Sequence, residues 1–340
     1  MKIGWLSKSY AMTLMLVVSA ISAEAQSFPP TLASPTQYTN IAISTNPAMA
    51  VLNGVLYIAY VDNSGTSGAY PLYVTSSTDG VNWSTPVLWA AAKELTSPGL
   101  AAWNNELWVS YVGDPYSSYP GALYVTHAAN PQVGPTTQPV LVDSTGTPYL
   151  PNSSPNMFVF NGNLYFVAVT NLAGSATTPE TFFTSNGTTF LSGGWCINDP
   201  LGYMPQTGAV IGVTAFNGQV YYAYQTQGGA GGHTLRVCQT NLANIDPTAN
   251  FFSPGYEVGG GVNATVWGSN LVLSFKDFNS HDLILEGSTN GETYSAEAYP
   301  ADAINGNNQI TPGSASFNGK YYAAFTANSG SHYLNVTHSE

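Results

Sequence analysis

Three aspartates stand where a β-rich run gives way to a polar loop: Asp62 in IAYVDNSG, Asp114 in VSYVGDPYSSYP and Asp277 in LSFKDFNS. Two carboxyl groups facing each other across a sugar can hydrolyse a glycosidic bond, one as acid and the other as base or nucleophile. The same residues serve equally well as solvated loop acids. Glu94, Asp199, Glu257 and Asp302 lie on connections leading into the same loops. Beside them stand Tyr70, Tyr116, Tyr119 and Trp195, with Trp89, Tyr149 and Tyr203 also expected on loops. A sugar has apolar C–H faces and hydroxyl edges, and aromatic platforms next to Asn, Asp and Gln match both. Tyrosine-rich loops also keep a charge-poor surface soluble, so the pattern has two readings.

His233, His281 and His332 each stand two residues before a leucine that opens a repeated strand (Leu235, Leu283, Leu334), a place held by Tyr70 before Leu72. Equivalent positions in neighbouring copies should lie more than ~10 Å apart, against metal–ligand distances near ~2 Å. A shared metal is therefore not expected. The histidines mark either a binding position repeated once per copy or inherited repeat sequence without a role. Cys196 and Cys238 either pair in a structural disulfide or remain two buried thiols. Nothing in the chain calls for a cofactor.

These residues hang on an internal repeat. Six segments share one pattern: NPAMAVLNGVLYIAY, SPGLAAWNNELWVSY, SPNMFVFNGNLYFVA, VIGVTAFNGQVYYAY, GVNATVWGSNLVLSF and TPGSASFNGKYYAAF. Their turn residues are Asn53, Asn104, Asn161, Asn217, Gly268 and Asn318, spaced 50 to 57 residues apart. An aromatic or leucine precedes each turn residue, and Tyr57, Trp108, Tyr165, Tyr221, Val272 and Tyr322 stand four after it. Asn-Gly between two β-rich runs is a strong hairpin signal, because both turn residues must accept positive φ. A third strand follows (LYVTSS, LYVTHA, TFFTS, LRVCQT, LILEGS, LNVTHS), and a fourth leads into the next copy. Four strands per repeat is the pattern of a propeller blade. The sixth copy stops after its third strand, and PTQYTN (35–40) lies as far ahead of its turn as PVLWAA (86–91) lies ahead of the next. The expectation is an all-β, six-bladed β-propeller of four-stranded blades over 26–340, closed by the N-terminal strand completing the last blade.

A second turn recurs after the third strand: STDGVNW at 77–83, SNGTTF at 185–190 and STNGETY at 288–294. An Asp or Asn caps backbone amides just ahead, Gly takes the left-handed position, and an aromatic pins the loop. This turn resembles the Asp-box (BNR) repeats of the sialidase-like β-propeller superfamily, shortened by one residue between Asp79 and Gly80. The resemblance implies a structural Asp79 away from any active site, and Asn186 and Asn290 in its place agree. It also implies sialidase ancestry, but recognition of a sialic acid carboxylate in that superfamily uses three arginines. Beyond residue 25 this chain has one, Arg236. Sialidase activity is therefore disfavoured.

The first 25 residues, with Lys2 and Lys8 ahead of AMTLMLVVSA and then Ala23-Glu24-Ala25, read as a cleaved signal peptide. Losing two lysines and one glutamate with it takes the net charge from −12 to −13. Only Lys93, Arg236, Lys276 and Lys320 then remain as permanent cations. That excludes a basic face for nucleic acid, and no later apolar run is long enough for membrane insertion. The expectation is a secreted or periplasmic protein that binds a neutral carbohydrate at the loop face, without catalysis. The alternatives are a non-sialidase glycoside hydrolase using two of Asp62, Asp114 and Asp277, and a structural or protein-interaction propeller of the cell envelope.

Overall fold

A computed structural model describes residues 28–64, 69–93, 96–114, 116–142, 148–172, 176–193, 204–206, 208–227, 233–242, 250–280, 282–299, 311–326 and 332–340. The expected signal peptide, 1–25, lies outside the described residues. Among the described residues every regular element is a strand. After β1 (Thr36–Ala42) come β2 (Ala48–Leu52), β3 (Val55–Val61), β4 (Ala69–Ser77) and β5 (Val87–Lys93), which form the first four-stranded antiparallel blade. The second holds β6 (Gly99–Trp103), β7 (Glu106–Val112), β8 (Leu123–Ala128) and β9 (Val140–Leu141). The third holds β10 (Asn156–Phe160), β11 (Asn163–Leu172), β12 (Ala176–Thr184) and β13 (Leu191–Ser192). The fourth holds β14 (Gly212–Phe216), β15 (Gln219–Gln225), β16 (Leu235–Thr240) and β17 (Asn250–Phe252). The fifth holds β18 (Val258–Trp267), β19 (Asn270–Asp277), β20 (Leu283–Ser288) and β21 (Ser295–Tyr299). The sixth holds β22 (Gly313–Phe317), β23 (Lys320–Thr326) and β24 (Tyr333–His338), with β1 antiparallel to β24 as its outer strand.

The first strands of the blades touch in the circular order β2, β6, β10, β14, β18, β22 and back to β2. This is a six-bladed β-propeller. The hairpins form because their turns suit the residues placed there. Asn53, Asn104, Asn161, Asn217 and Asn318 take φ between 47° and 51°, and Gly268 takes 59°. Asparagine is among the few non-glycine residues that accept this region.

Each second strand is apolar on both faces, and the faces go to different neighbours. On β3, Leu56, Ile58 and Tyr60 pack toward the sixth blade, while Tyr57, Ala59 and Val61 pack toward the second. Burying one such side chain is worth about 1.5–3 kcal/mol, so a blade needs a partner on each side. Polar ties cross the same interfaces: Trp103 Nε1 donates to the Gly162 carbonyl (2.8 Å), and Trp267 Nε1 to the Gly319 carbonyl (3.0 Å).

The second type of turn recurs in the first, third and fifth blades with the same bonds. Asp79 Oδ1 accepts the Val81 and Asn82 amides (2.8 and 2.7 Å), Asn186 Oδ1 those of Thr188 and Thr189 (3.0 and 2.9 Å), and Asn290 Oδ1 those of Glu292 and Thr293 (both 2.9 Å). The Asn82 and Val81 amides and the Asn82 and Ser77 side chains hold the Asp79 carboxyl well below the usual carboxylate range. The glycine that follows is at φ 78° in Gly80 and Gly187 and 80° in Gly291. Each glycine lies against an aromatic of the preceding blade: Gly80 on Tyr322, Gly187 on Trp108 and Gly291 on Tyr221. The turn thus locks odd blades onto even ones.

Two predictions follow from this packing. In Gly80→Ala, the left-handed φ and the overlap with Tyr322 should together cost about 2–4 kcal/mol, read by urea denaturation, whereas Asp79→Asn should melt close to the wild type. The second concerns Glu286 on β20, which is 1% exposed with Oε2 lacking a hydrogen-bond partner. Burial pushes its carboxyl from an ordinary 4.5 up to about 8. Between those values the unfolded chain releases a proton that the folded chain retains, so this residue lowers stability progressively as pH rises from about 4.5 to about 8. Glu286→Gln should match the wild type near pH 4 and exceed it at pH 8; urea midpoints measured across that range check it.

Candidate functional site

The end of the ring opposite the hairpin turns carries the loops between second and third strands and the crossovers between blades. The three candidate acids are all found there, and each carboxylate caps its own loop. Asp62 Oδ1 accepts the Ser64 amide (2.7 Å), Asp114 Oδ1 the Tyr116 amide (2.6 Å), and Asp277 Oδ2 the amides of Asn279 (2.9 Å) and Ser280 (2.6 Å). Asp114 is 9% exposed.

The two described histidines of the repeated position share a backbone conformation. His233 and His332 take φ of 72° and 49°, and Gly121, at the same repeat position, takes 79°. Histidine is enriched in this region relative to most side chains. The carbonyl of His233 accepts the Val258 amide (2.6 Å), and that of His332 accepts the Ile43 amide (2.9 Å), so each ties its loop to the crossover entering the next blade. His281 and Trp195 lie outside the described residues, as do Tyr203 and Cys196. Cys238 is disulfide-bonded.

Tyr116 and Tyr119 are 72% and 49% exposed on the loop of the second blade. Tyr70 is on β4, half-buried, and with Tyr73, Leu88, Trp89 and Pro135 it lines an outer groove of ≈ 510 Å³. Two aromatics expected on loops are instead structural. Trp89 sits at a register irregularity in β5 and is buried in the core between the first and second blades. Tyr149 is buried against Phe182, and its hydroxyl donates to the Ala168 carbonyl (3.1 Å). Arg236 is 5% exposed; its Nη1 donates to Ser253 Oγ (2.6 Å), and its guanidinium lies over Phe251.

One cluster on the loop face spans two blades. The His233 ring stacks on Phe278, centroids 3.8 Å apart and 18° from parallel, and its Nδ1 is 2.5 Å from Gln225 Nε2. Phe278 is 40% exposed. Its amide donates to the Glu257 carbonyl, and Asn279 Nδ2 donates to Glu257 Oε2, both 2.9 Å. Sequence reasoning placed His233, Glu257 and Asp277 near this face but missed Phe278 and Asn279, which stand directly after Asp277. Among the described residues, no three His, Cys, Asp or Glu side chains converge as a metal site.

The axis offers a different environment. The first residues of the repeat segments form a buried collar: Thr311 N donates to Asn46 Oδ1 (2.6 Å), Asn46 N to Ser97 Oγ (3.1 Å) and Ser97 N to Ser154 Oγ (2.7 Å). Beyond it, a cavity of ≈ 390 Å³ is lined by the innermost strands, with Ala50, Ala102, Phe158 and Val213 among its walls. Exposure rises toward the hairpin turns, reaching 36% at Val159.

No protein-family model matches the chain, and no curated sequence does. Solved structures do. The Trypanosoma rangeli sialidase in complex with the inhibitor DANA aligns at TM-score 0.62 and 14% identity over 90% of this chain and 57% of its own. The chain thus spans a little over half of that protein's length. The fucose-specific lectin from Aleuria aurantia aligns at 0.60 and 14% over 88% and 92%. A subtype N11 neuraminidase-like protein from a flat-faced bat influenza virus aligns at 0.56 and 11% over 91% and 94%. The fold is thus a six-bladed β-propeller, shared with sialidases and with a fucose-specific lectin.

Because Asp277 caps its loop, Asp277→Ala should speed hydrogen exchange at the Asn279 and Ser280 amides by at least about tenfold, the loss of roughly 1.4 kcal/mol of local protection, while exchange within β19 changes little.

Proposed function

We propose that this is an exported propeller, secreted or periplasmic, that holds a neutral carbohydrate at its loop face without turning it over. The observation that carries this reading is the division of labour there: Tyr116, Tyr119 and Phe278 are exposed, whereas the carboxylates of Asp62, Asp114 and Asp277 are each engaged by amides of their own loops. A glycosidase acid or base has to exchange a proton at the sugar, and each of these carboxylates is instead engaged in capping its own loop. Exposed aromatics match the C–H faces of sugars. The scarcity of cations speaks for a neutral ligand, since anionic sugars are recognised through charge-assisted bonds to Arg or Lys. The fold is shared by proteins described as a fucose-specific lectin and as sialidases, which supports a carbohydrate ligand and places fucosylated probes among those to test. The leader sequence is the ground for export.

The mature protein should bind at least one neutral glycan on an array and release no reducing sugar from it on prolonged incubation. Silence across every neutral glycan would overturn carbohydrate binding; sugar release that Asp62→Asn or Asp277→Asn abolishes would make the protein a hydrolase.

A further inference from the structure

Two junctions between blades repeat one backbone frame on the loop face. Between the fourth and fifth blades, Val258 N donates to the His233 carbonyl (2.6 Å) and Phe278 N to the Glu257 carbonyl (2.9 Å). Between the sixth and first, Ile43 N donates to the His332 carbonyl (2.9 Å) and Asn63 N to the Ala42 carbonyl (3.3 Å). In both, an aspartate caps the loop two residues on: Asp277 for Asn279 and Asp62 for Ser64. The frame therefore does not dictate its side chains. Where the sixth–first junction has Asn63 and Ala42, the fourth–fifth has Phe278 and Glu257. At a position where an asparagine serves the fold, a large apolar ring stacks on His233 on one face and is left 40% exposed.

The arrangement around that ring is preorganised. His233 backs one face of Phe278 at 3.8 Å and is itself held by Gln225. Asn279 fixes Glu257 through Oε2, and Asp277 fixes Asn279 through its amide. Glu257 is exposed, and a carboxylate with one oxygen oriented in this way still has acceptor sites for hydroxyl groups. Lys276, beside Asp277, is 2% exposed, so the charge presented to solvent here is carboxylate.

We propose that this junction is a sugar subsite. The C–H face of a neutral pyranose lies on Phe278, and a pair of adjacent hydroxyls donates to Glu257, whose position Asn279 and, through it, Asp277 maintain. Uronic and sialic acids are disfavoured by Glu257 and Asp277. This inference rests on the carbohydrate-binding reading and gives that reading a location. It also recasts Asp277 as a positioning residue.

Calorimetric titration with the strongest neutral glycan from the array tests it. Phe278→Ala should weaken binding about tenfold or more while the protein still folds with a cooperative melt. Glu257→Gln should also weaken it, since charge-assisted bonds from the hydroxyls are lost. Phe278→Trp should retain binding and report it as a change in tryptophan emission, a signal that a purely structural residue would not give. Wild-type affinity in Phe278→Ala, or a Phe278→Trp protein that binds without any emission change, overturns the subsite while leaving carbohydrate binding intact, and loss in Tyr116→Ala instead would move the site to the second blade. A wild-type protein that binds no glycan overturns both.

Discussion

A blade of this protein cannot be left uncovered. Its second strand sends large apolar side chains to both faces, as Leu56 and Ile58 go one way from β3 and Tyr57 and Val61 the other. A sheet with two apolar faces is stable only between two others, and a row of such sheets is stable only when it closes. The chain meets this by placing β1 beside β24 and β2 beside β22. The turns at Asp79, Asn186 and Asn290 serve the same end, since each seats its glycine on an aromatic of the preceding blade. Once the ring is closed by strands and by one set of turns, the loops at the opposite end are released from most of the folding task.

That division explains where the few charges go. Asp79 holds a turn on one face; Asp62, Asp114 and Asp277 hold turns on the other. Arg236 is spent on Ser253 and Phe251. In a chain with 7% charged residues, the groups left uncommitted on the loop face are mainly aromatics and neutral hydrogen bonders, with Glu257 as an exception held in place by Asn279. The buried collar of Asn46, Ser97, Ser154 and Thr311 ties the first strands of four blades to one another through small polar groups.

The blade architecture was legible in the sequence because it rests on local rules. Asn-Gly demands positive φ at known positions, and near-continuous apolar runs mark the strands sandwiched between blades. The third strands beginning near Leu72, Leu123, Leu235, Leu283 and Leu334 are where the repeat places them. Reading loops was harder. Trp89 and Tyr149 look like loop aromatics, but a register irregularity draws Trp89 into a blade core, and the Tyr149 hydroxyl finds a carbonyl in the next blade. The histidines looked like a ligand pattern; His233 and His332 take left-handed backbone, as Gly121 does at the same position. Phe278 and Asn279 were missed because their meaning lies in partners more than twenty residues away: His233, which reaches Phe278 across a blade junction, and Glu257, which the pairing of β18 with β19 brings beside Asn279.

On the reading proposed above, a repeated backbone frame carries a sugar-binding chemistry at one blade junction. The most direct measurement is a crystal structure of the protein soaked with a neutral glycan that it binds. The account predicts density for a pyranose ring lying on Phe278 with hydroxyls directed at Glu257. A glycan seated instead in the axial cavity or in the groove beside Trp89, with the Phe278 ring left bare, would contradict it.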